Sequence, residues 1–422
     1  MKPRKHHSLC LTPPMGWNSW DCYGAAVTED VVRKNADYMA ENLKKYGWEY
    51  VIVDIQWYEP NAVSHTYNDF TALEFDEYSR LIPAVNRFPS SKDGLGFKPL
   101  ADYVHSLGLK FGIHILRGIP RECVKKNTAI KGTNVRALDI ARVDSTCPWN
   151  TDMYGVDPSK EGAQEYYDSL FELYSQWEID FVKVDDIARP YHAGEVELIR
   201  NAIDKTGRDI VLSLSPGAAS LRSAEHLCDH ANMWRMTDDF WDKWELLRDM
   251  FDRCRNWQNL RCDGAWPDCD MLPLGKLRVC DGNGGEWSRF TKDEQMTHMA
   301  LWSIFRSPLF FGGDMTMNDK WTDSLMMNEE LIKLNKFSED NHELYRDEKG
   351  AVVWYAKSTK ENACYIAQFN ISDKDMTVDT PLSLIGMEKA TVKNLFTGEE
   401  MAVEDRIYSV VNFHGVKIYK VY

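Results

Sequence analysis

The chain has 422 residues, of which 44% are hydrophobic and 27% are charged, a composition typical of globular proteins. Its formal net charge of −15 argues against nucleic acid and anionic membranes as partners, because both require a basic binding face. No apolar run reaches the length of a membrane span, and the N-terminus "MKPRKHHSLCLTPPMG" lacks a signal-peptide core. We therefore expect a cytoplasmic protein, although a secreted or periplasmic mature form would have the same features.

Short apolar runs alternate with amphipathic helical runs through about residue 320. The apolar runs predict strands at residues 14–20, 50–54, 110–115, 181–185, 210–215, 232–237, 267–272 and 308–313. Between them lie helical patterns such as residues 28–46, where Val32, Ala36, Met39 and Leu43 share one face. Eight such alternations predict an α/β catalytic domain, a (β/α)₈ TIM barrel over residues 1–335.

The pattern of apolar and polar residues changes after this region. Runs such as "AVVWYAKS", "ACYIAQFNI" and "GVKIYKVY" follow one another, separated by turns rich in Gly, Asn, Asp and Lys. No helical period remains, and this pattern is typical of antiparallel strands. We predict that residues 336–422 form a C-terminal antiparallel β-sandwich domain.

Several predicted strands end in charged or aromatic residues, most clearly the run "DFVKVDD". A buried carboxylate without a partner costs several kcal/mol, so chance is a poor explanation for Lys183 and Asp185 in this strand. In a barrel of this kind the C-terminal strand ends form one mouth, which is where catalytic groups lie. The candidates at these ends are Trp20, Asp54, Trp57, His114, Lys183, Asp185, Ser215, Arg235, Asp239 and Asp270. Aromatic faces together with carboxylates and cations suit a sugar.

Two carboxylates in different surroundings would suffice for glycoside hydrolysis. Lys183 lies two residues before Asp185 on the same side of the strand, and a nearby cation favours the ionised form that a nucleophile needs. Asp239 lies beside Phe240 and Trp241, an apolar setting that favours the neutral form of a general acid. Any one of these aspartates could instead cap a helix or face solvent. That explanation becomes weak for a whole set at successive strand ends.

Six motifs carry a resemblance to a known family. They are "LTPPMGWNSWDCYG", "YVIVDIQW", "FVKVDD", "WRMTDDFW", "WPDCDML" and "ALWSIFRSPLFFGGD", in this order from Thr12 to about Asp314. The chain resembles glycoside hydrolase family 27, the α-galactosidase family of clan D. The resemblance implies a (β/α)₈ barrel followed by an antiparallel β domain. It also implies retaining hydrolysis by two aspartates, with no cofactor and no metal.

The resemblance also assigns roles to residues. It makes Asp185, in "KVD", the nucleophile, and Asp239, five residues past the Trp of "WR", the acid/base. The sugar-binding positions carry over to Trp20, Asp54, Lys183, Arg235 and Asp270, with His114 standing where the family often has Tyr. The partners it implies are galactose- or arabinopyranose-terminated oligosaccharides or glycosides. A homo-oligomer is compatible with the sequence.

The sequence departs from the family pattern at three places. The second of two adjacent aspartates after the second strand is Ile55 here, in "VDIQW". The cysteine that usually follows the nucleophile motif is absent, and the chain's 10 cysteines include no CxxC pair, which favours free thiols in a reducing compartment. At the fifth strand the small residues Ser215 and Ala218 stand where α-galactosidases often carry larger side chains. A branch that accepts N-acetylgalactosamine has Ser and Ala there.

Ile55 is the departure that bears most directly on the sugar. In the family, the missing aspartate helps to hold the 4- and 6-hydroxyls, and isoleucine accepts no hydrogen bond. β-L-Arabinopyranose is α-D-galactopyranose without the C5 hydroxymethyl group, so an apolar residue there favours it. We predict β-L-arabinopyranosidase activity, with α-galactosidase and α-N-acetylgalactosaminidase as alternatives.

Two hypotheses from other classes are a metal-dependent barrel hydrolase using His114 and an inactive sugar-binding protein. The first lacks a His-x-His pair on strand one, and the second is opposed by the presence of both Asp185 and Asp239.

Overall fold

The structure is a computed structural model, and it describes residues 4–215, 217–281 and 284–422. Eight parallel strands form one curled sheet, in the spatial order β7-β6-β5-β4-β3-β2-β1-β8. The strands are β1 (Met15–Asn18), β2 (Tyr50–Val53), β3 (Lys110–Leu116), β4 (Phe181–Asp185), β5 (Val211–Leu214), β6 (Met233–Arg235), β7 (Trp266–Asp268) and β8 (Leu309–Phe311). Each lies within its predicted range or extends it by one residue.

The sheet closes into a barrel just after β7. Leu272 bridges Phe311 in parallel; its N–H donates to Phe310 O at 2.7 Å, and Gly312 N–H donates to Leu272 O at 3.0 Å. The predicted TIM barrel is therefore confirmed.

Side-chain alternation explains how β4 can be both apolar and charged. Phe181 belongs to a buried cluster inside the barrel, whereas Val182 and Val184 pack in the larger core between the strands and the helices. Because alternate residues point to opposite faces of a strand, Lys183 and Asp185 share the interior side with Phe181. The same alternation in β2 places Tyr50 and Ile52 inside and carries the interior side on to Asp54.

Helices cover the outside of the barrel. The longer ones are Glu29–Tyr38, Lys98–Ser106, Ala163–Gln176, Ala193–Thr206, Trp244–Trp257, Lys292–Phe305 and Glu329–Lys336, and shorter ones are Trp20–Tyr23, Arg121–Lys126, Ala137–Ile140, Ala224–His230 and Lys320–Met326. The predicted helix over residues 28–46 changes character: Met39–Leu43 is a π-helix and Lys44–Tyr46 a 3₁₀ turn. The helix Lys292–Phe305 begins with a capping box, since Glu294 N–H donates to Thr291 Oγ1 at 3.2 Å and Thr291 N–H to Glu294 Oε2 at 2.8 Å.

Two small sheets interrupt the barrel pattern, and the sequence did not predict either. A three-stranded antiparallel sheet of Ile119–Pro120, Met153–Val156 and Ala141–Thr146 follows β3. A two-stranded sheet of Lys276–Leu277 and Glu286–Trp287 follows β7. Both insertions leave the barrel after the C-terminal end of a strand, on the side where the polar strand ends lie.

The C-terminal region is antiparallel, as predicted. Six strands form one sheet in the order Ser338–Arg346, Ala351–Ser358, Cys364–Asn370, Val416–Val421, Lys389–Asn394 and Glu400–Glu404, and Met376–Pro381 pairs with Arg406–Val411 in a second. The first of these strands begins two residues after the last barrel helix. His414 connects the two regions: its ring stacks on Trp244 at 3.6 Å between centroids and contacts Glu294 at 2.7 Å.

All 10 cysteines lie in the described part of the chain, and they form no disulfide there. Among the residues that the structure describes, no helix is long and apolar enough to cross a membrane.

Candidate active site

The C-terminal ends of the barrel strands surround a cavity of about 320 Å³. Most of its wall is charged or aromatic. The lining residues are Trp20, Asp21, Asp54, Tyr67, Trp149, Lys183, Asp185, Arg189, Arg235, Asp238, Asp239, Phe240, Trp241, Asp270 and Met271. Seven of the residues predicted from the sequence therefore share one cavity: Trp20, Asp54, Lys183, Asp185, Arg235, Asp239 and Asp270. Ser215 lines a smaller adjoining space that shares Lys183, Arg235 and Asp270 with this cavity.

Asp54 and Lys183 form a buried ion pair in the cavity wall. Lys183 Nζ donates to Asp54 Oδ2 at 2.9 Å, and Asn18 Nδ2 donates to the same oxygen at 2.7 Å. Burial by itself would raise the pKa of Asp54, but the Lys183 ammonium and the hydrogen bonds outweigh it and hold that pKa well below its usual range. Asp54 is thus a fixed carboxylate, suited to accept hydrogen bonds from hydroxyl groups.

His114, rather than Lys183, contacts the predicted nucleophile directly. His114 Nε2 lies 2.8 Å from Asp185 Oδ2, and Asp186 N–H donates to Asp185 Oδ1 at 2.9 Å. Lys183 instead pairs with Asp54, although the charge of Asp185 also raises the pKa of Lys183. Both oxygens of Asp185 are therefore engaged, and only 8% of its side chain is exposed.

Asp239 has a different setting from the apolar one predicted. Its side chain is 53% exposed, and its Oδ1 accepts a hydrogen bond from Arg235 Nη2 at 3.0 Å. Arg235 also pairs with Asp270 at 2.8 Å, and the Phe240 N–H donates to the other Asp270 oxygen at 2.7 Å. The prediction of an apolar environment for Asp239 was wrong, because this carboxyl is half exposed to solvent and pairs with the Arg235 guanidinium.

Two carboxyl groups near the cavity, those of Asp268 and Asp186, have raised pKa values. Burial raises the pKa of Asp268 to about 7, and the charge of Asp270 adds to the rise, while Arg235 opposes it. Burial likewise raises the pKa of Asp186 to about 6, against the pull of Arg117, which pairs with it at 2.9 Å. Asp268 lines the smaller adjoining space, and Asp186 directly follows Asp185 at the end of β4. Neither residue lines the main cavity.

Three of the predicted residues do not line the cavity. Trp57 is fully buried; its Nε1 donates to His114 O at 2.7 Å, and its ring packs against Phe97 at 5.1 Å between centroids. Direct contact of Trp57 with a substrate was therefore a wrong prediction. The His114 side chain is fully buried beneath Asp185 and reaches the cavity only through that carboxylate. Ile55 is 1% exposed and packs in the main core immediately after Asp54.

Eight cavity residues were not predicted to bind the substrate: Asp21, Tyr67, Trp149, Arg189, Asp238, Phe240, Trp241 and Met271. Tyr67 stacks on Trp20 at 5.3 Å between centroids and lies 5.6 Å from the Trp149 ring, so these rings form one aromatic wall. Tyr67 and Trp149 come from loops that are far along the chain from the ends of the barrel strands, and no pattern in the sequence marks them. Asp21, Asp238 and Trp241 flank predicted residues, and that adjacency was a usable signal.

One group of potential metal ligands exists outside the cavity. Ligand atoms of Asp102, His105 and Glu178 lie within 4.8 Å of one another. The Lys98 ammonium already pairs with Asp102 and lies 3.5 Å from Glu178, so this group has a cation of its own.

Comparisons with known proteins agree with this architecture. A family model described as alpha galactosidase A (Melibiase_2) matches residues 12–158 and 150–337. A solved variant of a family 27 β-L-arabinopyranosidase from Geobacillus stearothermophilus, in complex with arabinose, is 55% identical. The match covers 100% of this chain and 99% of that one, with a TM-score of 0.97. A Bacillus halodurans structure, provisionally described as an α-N-acetylgalactosaminidase, is 50% identical over 97% of each chain, with a TM-score of 0.88.

A curated relative, alpha-galactosidase 2 of Arabidopsis thaliana, is 26% identical over 98% of this chain and 90% of its own length. The family model, the barrel and the cavity at its strand ends all lead to one assignment: the chain belongs to the alpha galactosidase A family, glycoside hydrolase family 27.

Proposed function

We propose that this glycoside hydrolase removes terminal β-L-arabinopyranosyl groups with retention of configuration, and α-D-galactopyranosyl groups more slowly. The observation that carries the proposal is the contrast between two carboxyls in one cavity. Asp185 is buried, and both of its carboxyl oxygens are hydrogen-bonded. The Asp239 side chain is half exposed and pairs with Arg235. A nucleophile must be fixed, and an acid/base must reach both the leaving group and water.

The two steps use the carboxyls in turn. Asp185 attacks the anomeric carbon while the glycosidic C–O bond breaks, and Asp239 gives its proton to the departing oxygen. The resulting glycosyl ester on Asp185 is then attacked by water, from which Asp239 takes a proton. The C–O bond to Asp185 breaks, the sugar leaves with its original anomeric configuration, and both carboxyls return to their starting forms.

The remaining cavity residues suit one pyranose ring. Asp54, Lys183, Arg235 and Asp270 supply charged acceptors and donors for its hydroxyls. The ring face would lie against the aromatic wall of Trp20 and Tyr67.

The preference for arabinopyranose rests on the residue next to Asp54. The Ile55 side chain has no hydrogen-bond acceptor. The 6-hydroxyl of a galactoside would therefore give up its hydrogen bond to water without gaining one to this residue. The relative at 55% identity, a β-L-arabinopyranosidase solved with arabinose, supports the same preference.

One observation favours a second candidate, an α-N-acetylgalactosaminidase. Ser215 Oγ is buried without a hydrogen-bond partner among the described residues and lines the space adjoining the cavity, where an acetamido group could bond to it. The Bacillus halodurans relative gives this alternative its support.

A panel of nitrophenyl glycosides tests the proposal. We expect kcat/KM to be highest for the β-L-arabinopyranoside, lower for the α-D-galactopyranoside and lowest for the N-acetyl-α-D-galactosaminide, with unchanged turnover in excess EDTA. NMR of the first-formed sugar should show the anomer of the substrate. No turnover of any of the three, or the opposite anomer, would refute the proposal.

A further inference from the structure

Asp21 stands apart from the other carboxyls of the cavity. Asp54, Asp238, Asp239 and Asp270 each have an ion-pair partner, and Asp185 is hydrogen-bonded to His114. Asp21 also lines the cavity, yet within the described part of the chain its side chain has no hydrogen bond or ion pair, and its Oδ2 is buried. The residue as a whole is 2% exposed. A buried polar group left unsatisfied costs free energy, so its retention in a binding cavity calls for a ligand.

The surroundings of Asp21 oppose its ionisation. Burial raises its pKa well above the usual range, and the charges of Asp270, Asp239 and Asp54 raise it further, while Lys183 opposes them. Cys22, the next residue in the chain, is a buried thiol whose own pKa is raised by burial. These surroundings favour the neutral form of Asp21, which has an O–H to donate.

Gly312 sets the position of this carboxyl. A Cβ at residue 312 would meet Asp21 Oδ2 at 2.1 Å and its Cγ at 2.7 Å, so only glycine leaves room for the side chain there. Arg278 N–H donates to the Asp21 carbonyl at 2.8 Å and fixes the backbone. The Arg278 hydrogen bond thus fixes the Asp21 backbone, and Gly312 leaves the space that the Asp21 carboxyl occupies.

We propose that Asp21 binds the substrate, with its buried carboxyl hydrogen-bonded to a hydroxyl group of the bound pyranose. This inference rests on the proposed function, since it takes the cavity to hold a sugar. The ligand class it names is a neutral pyranose, because an anionic group at this place would face Asp54, Asp239 and Asp270.

Calorimetric titration with L-arabinose and D-galactose tests the role. Asp21→Leu removes the donor at similar volume and should raise Kd about 3- to 10-fold, the range of one neutral hydrogen bond. Asp21→Asn keeps a donor and should bind within about twofold of wild type at pH 5.5. Asp249→Leu, at an exposed position on the helix Trp244–Trp257, is the matched control for loss of a carboxyl and should bind as wild type.

A pH series gives a readout that a merely structural role would not produce. As pH rises through the raised pKa of Asp21, wild type should lose affinity, because the ionised group no longer donates. Asp21→Asn should lack that loss, because an amide does not ionise as the pH rises. Gly312→Ala displaces the same carboxyl from the opposite side and should weaken binding as Asp21→Leu does, which provides a second variant if the leucine protein does not fold.

Equal Kd values for wild type, Asp21→Leu and Gly312→Ala, with turnover intact, would overturn this inference alone. Parallel pH profiles for wild type and Asp21→Asn would also overturn it. A wild type that neither binds these sugars nor hydrolyses their glycosides would overturn the proposed function as well.

Discussion

His114 Nε2 lies 2.8 Å from Asp185 Oδ2, inside a barrel where the imidazole has no exposed surface. The nitrogen on the other side of the ring, Nδ1, is buried without a partner among the described residues. Because a carboxylate oxygen can only accept a hydrogen bond, Nε2 is the donor in the contact with Asp185. His114 therefore acts on the cavity through Asp185, by fixing the direction of that carboxylate.

Replacing His114 tests this positioning role. His114→Phe removes the donor and should lower kcat by roughly 10- to 150-fold, the equivalent of one hydrogen bond to a charged group. His114→Gln, which can still donate, should retain most of kcat. Steady-state kinetics on a nitrophenyl glycoside, alongside the Kd of the free sugar, provide the measurement. Equal kcat in both variants would mean that the contact with Asp185 does not matter for catalysis.

Asp185 is expected to be the nucleophile. Asp185→Asn keeps the shape and should lower kcat by about 10⁴- to 10⁶-fold, as loss of a central catalytic group does in other hydrolases. Added azide should partly restore turnover and give a glycosyl azide of inverted configuration. Should the variant keep more than roughly a tenth of wild-type activity, an effect of only about 1.4 kcal/mol, Asp185 has another role.

Asp239 is expected to be the acid/base, and its effect should depend on the leaving group. Asp239→Asn should slow hydrolysis of alkyl glycosides strongly, since these need protonation of the departing oxygen, and of dinitrophenyl glycosides much less. The measurement is kcat/KM across leaving groups of different pKa. A loss that is the same for all of them would argue against proton donation by Asp239.

The sequence predicted the fold well because its signals were local and repeated. Eight short apolar runs, each followed by an amphipathic helix, specify a barrel almost independently of detail, and each observed strand falls near its predicted range. The residues at those strand ends converged for the same reason: Asp54, Lys183 and Asp185 continue the interior side of their strands.

Pairing within the site was harder to predict, because spacing along a strand does not determine which groups touch. Lys183 lies two residues from Asp185 in the sequence, but its ammonium contacts Asp54, which follows the second strand. The residue that contacts Asp185 is His114. Trp57 was assigned to the cavity for its nearness to Asp54, yet the turn after β2 directs its indole into the core. Tyr67 and Trp149 belong to long loops, and no local pattern in the sequence predicts that these loops reach the cavity.

Asp268 should make stability depend on pH. Burial raises its pKa from the usual 3.8 to about 7, so the folded state favours the protonated form. The contribution of this group to stability is complete below about pH 4 and is lost as pH rises through about 7. Asp268→Asn does not ionise, so its free energy of unfolding relative to wild type should improve between pH 4 and pH 8, by up to roughly 4 kcal/mol. Denaturant unfolding of both proteins at the two pH values measures this. A constant difference between them would mean that Asp268 ionises with its ordinary pKa.

Ile55 is expected to set the preference between the two sugars. It directly follows Asp54, and Asp54 Oδ1 accepts the Ile55 N–H at 2.9 Å, so the two residues share one tight turn at the edge of the cavity. Ile55→Asp would add an acceptor for a 6-hydroxyl, and a hydrogen bond to a charged group contributes about 1.5–3 kcal/mol. The ratio of kcat/KM for galactoside over arabinoside should therefore rise roughly 10- to 150-fold.

The ratio is the right quantity because Ile55 is 1% exposed, and a carboxylate there will lower the fraction of folded enzyme. Both substrates are measured on one preparation, so that fraction cancels. Ile55→Val, which adds no acceptor, should leave the ratio unchanged, and Asp54→Asn should lower kcat/KM for both sugars alike, since the 4-hydroxyl is common to them. If Ile55→Asp also leaves the ratio unchanged, the added carboxylate does not reach the sugar from its place in the core. The selectivity would then have to come from residues that line the cavity or the space beside it. Ser215, whose hydroxyl has no hydrogen-bond partner among the described residues, becomes the next position to change.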